Sequence, residues 1–189
     1  MNHLDEPLFI IDGIGPFFRN NRRTEINWSK IDFSDLDASG VIEPKRLAQI
    51  EEDFRTFTGR AATIGYNAVT LDDLAHLIPN PAYPAELQHK IEQYRTLYRT
   101  LFQIAADAGL RVFITTDLLF FNPVIEQQTQ NSRKKIQTFA AESCRAFFRD
   151  FPDTAGLIFR IGESDGVDVQ GDFQSRIVLS TPGQARRML

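Results

Sequence analysis

The sequence predicts an α/β fold made of parallel strand–helix units, and three observations predict it. An apolar strand candidate followed by an amphipathic helix pattern occurs four times along the chain. The strand candidates are apolar almost throughout, which is typical of parallel sheets covered by helices. Four units in 189 residues are half the number in a TIM-barrel-like (β/α)8 fold, whose usual length is about 250 residues. We therefore expect half of such a barrel, or a truncated one, and the alternative is a compact four-stranded α/β domain.

The four strand candidates are short apolar runs that end near glycine, proline or acidic residues. They cover residues 8–14, 65–71, 111–121 and 157–161. Their polar ends matter because α/β folds place their chemistry at the carboxyl ends of the strands. The pair Asn122-Pro123 after the third run is interpreted as a breaker.

The helix candidates follow the strands with apolar residues spaced by three and four positions. The first begins near Pro44, the second follows a proline-rich loop at residues 79–84 and ends at Gly109, and the third begins near Asn131. The fourth begins near Pro182 and has only about two turns, whereas helices average about three. This short last helix is the reason to expect the N-terminal half of a longer barrel.

The composition excludes several classes of function. With 42% apolar and 24% charged residues the chain is an ordinary globular sequence, and no composition shift divides residues 1–189 into domains. A net charge of −4 argues against nucleic-acid binding. No apolar run approaches the roughly 20 residues that span a bilayer, and the N-terminus lacks the features of a secretory signal. We expect one soluble, cytoplasmic domain without a membrane partner.

Acidic residues lie near the ends of three of the strand candidates. Of Asp72 and Asp73, at most one is expected to face a cleft, while the other caps the next turn. Asp117 lies in an otherwise apolar strand, so its charge must be paired or face a polar cavity. Glu163 follows the fourth strand between glycines, where the alternative to an active-site acid is a solvated surface loop. His76 is interpreted as an ordinary residue of a helical turn.

Basic and aromatic residues near the strand ends form a second group of candidates. Arg160, in the fourth strand, can pair with one of the acids for structure or for substrate binding. In the loop at residues 15–28, Arg22 and Trp28 offer a guanidinium for a sugar carboxylate and a flat ring for stacking. The alternative is a solvated loop whose aromatic rings enter the core.

No cofactor and no metal are predicted. Gly13 and Gly15 lack the third glycine and the helix start that a phosphate-binding loop requires. The acids lack the fixed ligand spacing of a short cation-binding loop.

Three stretches resemble α-glucuronidase-type glycoside hydrolases, which are (β/α)8 barrels. They are IGYNAVTLDDL, AADAGLRVFITTDLLFFNP and FFRDFPDTAGLIFRIGESDG, and the likeness covers about residues 60–166. The third stretch is similar to the family's fourth unit, where a serine-glutamate-glycine segment supplies the general acid. Here the order is Gly162-Glu163-Ser164-Asp165-Gly166, so the resemblance leaves either Glu163 or Asp165 as that acid.

The resemblance implies hydrolysis of a glycosidic bond, with a carbohydrate that can contain uronic acid as the substrate. This reaction needs an acid and a second carboxylate, and the resemblance implies that the second one comes from later strands outside these residues. Within the chain, Asp72, Asp73 and Asp117 lie on strands near that of Glu163, and Asp117 is the catalytic candidate among them. The expected substrate contacts are Asp72, Asp73, Arg160, Arg22 and Trp28. The alternative function is a non-catalytic α/β module that binds a carbohydrate or a partner. We expect the isolated chain to be inactive and to form a homodimer through open barrel edges.

Overall fold

The computed structural model describes residues 7–13, 44–117, 119–160 and 172–174. In this part of the chain strands and helices alternate, as predicted. The elements are β1 (Ile10–Asp12), α1 (Pro44–Thr63), β2 (Ala68–Asp72), a 3-10 turn (Ala75–Leu77), α2 (Ala85–Asp107), β3 (Arg111–Asp117), α3 (Pro123–Thr129), α4 (Arg133–Asp150) and β4 (Gly156–Arg160). The helix predicted near Pro182 lies outside the described residues.

The four strands form one parallel sheet in the order β1-β2-β3-β4. Each strand therefore pairs with the next one along the chain, and every crossover steps in the same direction. Right-handed crossovers of this kind lay their helices on one face of the sheet. A doubly wound sheet differs, because its strand order reverses at a switch point.

The hydrophobic core lies between the sheet and these helices. Val69 and Leu71 of β2 and Ile114 of β3 are inaccessible to solvent. Phe54 of α1 and Tyr98 of α2 belong to the same buried cluster. Apolar residues spaced by three and four along α1 and α2 thus bury one stripe of each helix. We call this side of the sheet the helix face.

The third strand–helix unit differs from its prediction in two places, where the strand ends and where the next helix begins. β3 ends at Asp117, and Asn122-Pro123 begins α3 instead of only breaking the strand. The Asn122 Oδ1 atom accepts a hydrogen bond from the backbone N–H of Ile125 at 3.0 Å, and Pro123 occupies the first helical position. Asparagine and proline favour a helix start as much as they disfavour a strand, so the same residues fit both interpretations.

Residues 172–174 pack against the helix face, and we call them the return segment. Phe121 and Gln174 exchange two backbone hydrogen bonds of 2.7 Å in an antiparallel bridge. The ring of Phe173 is buried, with its centroid 4.9 Å from His76, 5.7 Å from Tyr83 and 5.6 Å from Phe120. The return segment therefore joins the second and third strand–helix units.

Arg95 of α2 connects three elements in the same region. Its guanidinium donates to the Leu77 carbonyl at 2.6 Å and to the Asp150 carboxylate at 2.9 Å, at the end of α4. It also lies over the Phe151 ring, 5.4 Å from the centroid.

Across the described ranges, no helix combines the length and the apolar character needed to cross a bilayer.

Candidate functional site

The candidate site lies where β2 and β3 end. Asp72 and Asp73 stand at the end of β2 and Asp117 is the last residue of β3, and all three side chains are buried. Arg160 is the last residue of β4 and is the register partner of Asp117. The side chain of Arg160 lies outside the described part of the chain, as do the other predicted site residues Glu163, Asp165, Arg22 and Trp28.

The strand register collects carboxylates on the side of the sheet opposite the helix face, and we call this side the polar face. Asp12 is the partner of Thr70, and Asp72 is the partner of Thr115. Because side chains alternate along a strand, Asp12, Asp72 and Asp117 point to the same face. The Thr70 hydroxyl donates to the Asp12 Oδ1 atom at 3.3 Å, which agrees with this placement.

Two of these acids lie on neighbouring strands. Asp117 lies on the strand next to Asp72 and two residues further along. From a strand separation of about 4.8 Å and a rise of about 3.3 Å per residue, their Cα atoms are about 8 Å apart. Asp72 and Asp117 are therefore neighbours on the polar face.

Asp73 points to the other side of the sheet. Its Oδ1 atom accepts a hydrogen bond from the backbone N–H of His76 at 3.2 Å and lies 3.3 Å from His76 Nδ1. Asp72 thus joins the polar face, and the predicted cap of the following turn is confirmed for Asp73. The peptide bond between Asp72 and Asp73 is cis.

His76 lies in a buried cluster of charged groups. Its Nδ1 atom faces Asp73, its Nε2 atom lies 3.8 Å from Asp172 Oδ2, and Lys90 Nζ binds the same Asp172 atom at 2.8 Å. Burial opposes a charge on the imidazole, but the negative charge of Asp73 and the hydrogen bonds with Asp172 and Asp73 outweigh it and raise the pKa of His76 to about 9. His76 is therefore a cation at neutral pH and is already protonated, so it is unsuited to act as a general base there.

The charged partners of Asp172 stabilise its ionised form. The hydrogen bond with His76, opposed by partial burial and aided by Lys90, lowers the pKa of Asp172 to about 2. Asp172 thus remains a carboxylate across the range in which His76 changes its charge.

Two adjoining cavities lie beside this cluster. Their volumes are about 120 and 290 Å³, and both are lined by Asn122, Pro123 and Asp172. Lys90 lines the larger cavity. A third cavity, of about 550 Å³, lies at the amino end of β3 and is lined by Arg99 and Arg111 among others.

Sequence reasoning missed four residues that the structure brings to these sites. Asp12 had a visible signal, because it is a lone charge in an apolar strand. His76 also had one, since it follows Asp73 by three positions, the spacing of neighbours on a helical turn. Lys90 and Asp172 had none, because nothing local in the sequence indicates that the return segment reaches α2.

No group of three or more His, Cys, Asp or Glu side chains within the described ranges is arranged to hold a metal ion. Compared with family models, curated proteins and solved structures, the chain gives no match. The assignment of a function therefore rests on the residues and their geometry.

Proposed function

We propose that this chain supplies four units of a (β/α)8 barrel that hydrolyses glycosidic bonds. The observation that carries the proposal is that Asp72 and Asp117 end neighbouring strands of a parallel sheet whose strands follow one another in chain order. Consecutive order is the order of strands in a (β/α)8 barrel, whose active sites lie at the carboxyl ends. The resemblance of residues 60–166 to α-glucuronidase-type hydrolases supports the same reaction.

In this proposal each acid has a separate task. Glu163, which follows β4, protonates the leaving oxygen, and Asp165 is the alternative for this role. Asp117 is the candidate for the second carboxylate that the reaction needs, and Asp72 contacts the sugar beside it. Asp73 acts indirectly, because its carboxylate is held by His76.

The basic and aromatic candidates serve substrate recognition. Arg160 and Arg22 are expected to bind the carboxylate of a uronic acid, since a guanidinium matches its two oxygens. Trp28 is expected to stack on the sugar ring.

The test uses the full-length natural protein, assayed against aryl glycosides and aryl glucuronides. We expect Glu163→Gln to lower kcat by a factor of about 10²–10⁴, the usual contribution of a general acid, with an unchanged unfolding midpoint. Asp117→Asn is expected to lower kcat as well. The matched control is Asp107→Asn at the exposed end of α2, which removes a carboxylate far from the carboxyl edge.

The outcomes separate the roles. Loss of turnover in Asp165→Asn with normal turnover in Glu163→Gln would transfer the general-acid role to Asp165. Normal turnover in all three site variants would overturn the proposal. The 189-residue chain alone is expected to show no turnover, because an incomplete barrel neither desolvates the acid nor encloses the sugar.

A second function, carbohydrate binding without catalysis, is favoured by the hydroxyl groups on the polar face. Thr70 and Thr115 lie beside Asp12 and Asp72, and such groups hydrogen-bond sugar hydroxyls. Calorimetric binding of an oligosaccharide by a full-length protein that does not hydrolyse it would support this function over the enzyme.

A further inference from the structure

The return segment is fastened to the helix face by three kinds of contact. Its backbone pairs with Phe121 through two hydrogen bonds, and its Phe173 ring is enclosed by aromatic rings. Its Asp172 carboxylate reaches two cations, Lys90 at 2.8 Å and His76 at 3.8 Å. Both cations can lose a proton, and His76 is the one that lies between two carboxylates, Asp73 and Asp172.

The geometry around His76 distinguishes its two protonation states. An imidazolium has two N–H groups and can donate one to Asp73 and point the other at Asp172. A neutral imidazole has one N–H group, so its other nitrogen becomes an acceptor that faces a carboxylate. The imidazole is buried and the Asp172 side chain is 29% exposed, so water can reach the carboxylate but the His76 nitrogen stays enclosed, which leaves the contact between two acceptors unfavourable.

We propose that His76 is a pH-dependent clamp, which fastens the return segment to the end of β2 while it is protonated and releases it on deprotonation. The proposal concerns the conformation of the chain and does not depend on the glycosidase assignment. It also gives Asp73 a function, because this residue holds the imidazolium from the side opposite Asp172.

The titratable groups that face His76 come from three elements. They are Asp73 at the end of β2, Asp172 of the return segment, and Tyr94 of α2, whose ring meets the imidazole edge to face at 6.0 Å. Lys90 of α2 faces Asp172. Tyr98 of α2 lies near Asp73, and burial together with that charge raises the pKa of Tyr98 well above its ordinary value. Burial likewise raises the pKa of Tyr83, so both of these tyrosines remain neutral in the range considered.

The direction of the effect follows from the charge of His76. The clamp is closed at neutral pH and opens as the pH rises through the pKa of His76, which is about 9. The pKa of His76 is about 9 in the folded chain and 6.5 ordinarily. Protonation of His76 can therefore tighten the attachment by at most about 300-fold, which is the ratio of the two acid dissociation constants. Asp73 stays beside His76 in both states, so only the part of the effect that is due to Asp172 acts on the attachment, and we expect the ratio of attached to released segment to fall severalfold between pH 7 and pH 10.

Carbon-detected NMR of the 189-residue chain tests the clamp. The Cε1 shift of His76 reports its protonation, and the carbonyl shifts of Phe121 and Gln174 report the backbone bridge without relying on amide protons. We expect the carbonyl shifts to move towards random-coil values with the same midpoint, near pH 9, as the His76 shift.

Variants identify the responsible group. His76→Gln, which cannot be charged, should show a weakened bridge at pH 7 and no transition near pH 9. If His76→Gln does not fold, Asp172→Asn provides a second test. Loss of the Asp172 carboxylate should lower the midpoint of the pH transition. His89→Gln on the exposed side of α2 is the matched control and should behave as the parent chain does.

Three results would overturn the proposal. They are an unchanged bridge after His76 has lost its proton, a transition that persists in His76→Gln, and an Asp172→Asn midpoint equal to that of the parent chain.

Discussion

Asp72 and Asp73 are adjacent in the chain, yet their carboxylates serve opposite sides of the sheet. Asp72 lies on the polar face with Asp12 and Asp117, whereas Asp73 binds His76 on the helix face. The spacing of Asp72 and Asp73 at a strand end indicated that they would divide in this way. The spacing of three positions pointed to His76 as a neighbour of Asp73, but nothing in the sequence indicated that the imidazole would be buried, because histidine is intermediate in its tendency to be buried.

At the residue scale, the charge of His76 predicts how stability depends on pH. Its pKa is about 9 in the folded chain and 6.5 ordinarily, so the stabilisation is complete below pH 6.5 and is lost as the pH rises through 9. The loss in the free energy of unfolding is on the order of 3 kcal/mol at most. Urea unfolding at pH 6.5 and pH 9.5 measures it.

The variants used for this measurement separate His76 from the rest of the chain. His76→Gln should be less stable than the parent at pH 6.5. Its free energy of unfolding should change much less between pH 6.5 and pH 9.5 than that of the parent. His89→Gln should show the same change in the free energy of unfolding as the parent chain. A parent chain that is equally stable at both pH values would contradict the assignment of a buried imidazolium.

At the element scale, β1 depends on a close approach to β2. The Gly13 N–H donates to the Thr70 carbonyl at 3.0 Å, and a Cβ atom at Gly13 would lie 2.8 Å from that oxygen and 2.8 Å from Val69 Cγ2. Gly13→Ala should therefore push β1 away and lower the free energy of unfolding by about 1–3 kcal/mol. Gly59→Ala is the matched control.

The control should change stability in the opposite direction. Nothing lies within 4 Å of a Cβ atom at Gly59, which is inside α1, so alanine there should raise the free energy of unfolding by about 0.5–1 kcal/mol. Urea unfolding of both variants is the measurement. Equal effects of the two alanines would show that β1 tolerates a side chain at this position.

The elements themselves were largely predictable, because periodicity is a local signal. Strong apolar runs located all four strands, and three- and four-residue steps located α1, α2 and α4. The exception is the stretch from Leu119 to Phe121, which is as apolar as a strand. It extends β3 in the prediction but packs elsewhere in the structure, where Phe121 pairs with Gln174. A partner so distant in sequence leaves no local pattern.

At the scale of the whole molecule, self-association remains a prediction. Within the described ranges, β1 pairs only with β2 and β4 pairs only with β3, so each has an edge that can accept another strand. Phe9 and Phe159, at these edges, are 56% and 39% exposed. We expect light scattering to show dimers or larger species of the 189-residue chain.

A charge at an edge should reduce this association. Phe159→Lys is expected to shift the chain towards the monomer, because edge lysines oppose strand pairing. Ile64→Lys is the control, since Ile64 is exposed but lies outside the strands. A parent chain that is monomeric at high concentration would argue for the compact-domain alternative.

The consecutive strand order has a consequence for how the chain acquires its structure during synthesis. Each strand needs only the strand that left the ribosome just before it, so the sheet can grow in the direction of translation. Each pairing joins successive units, so no strand has to wait for a later unit before it can pair. The return segment is the exception, because His76 and Lys90 must wait for Asp172 to be synthesised. We therefore expect its attachment to be the last step among the described elements, made on a sheet that is already formed.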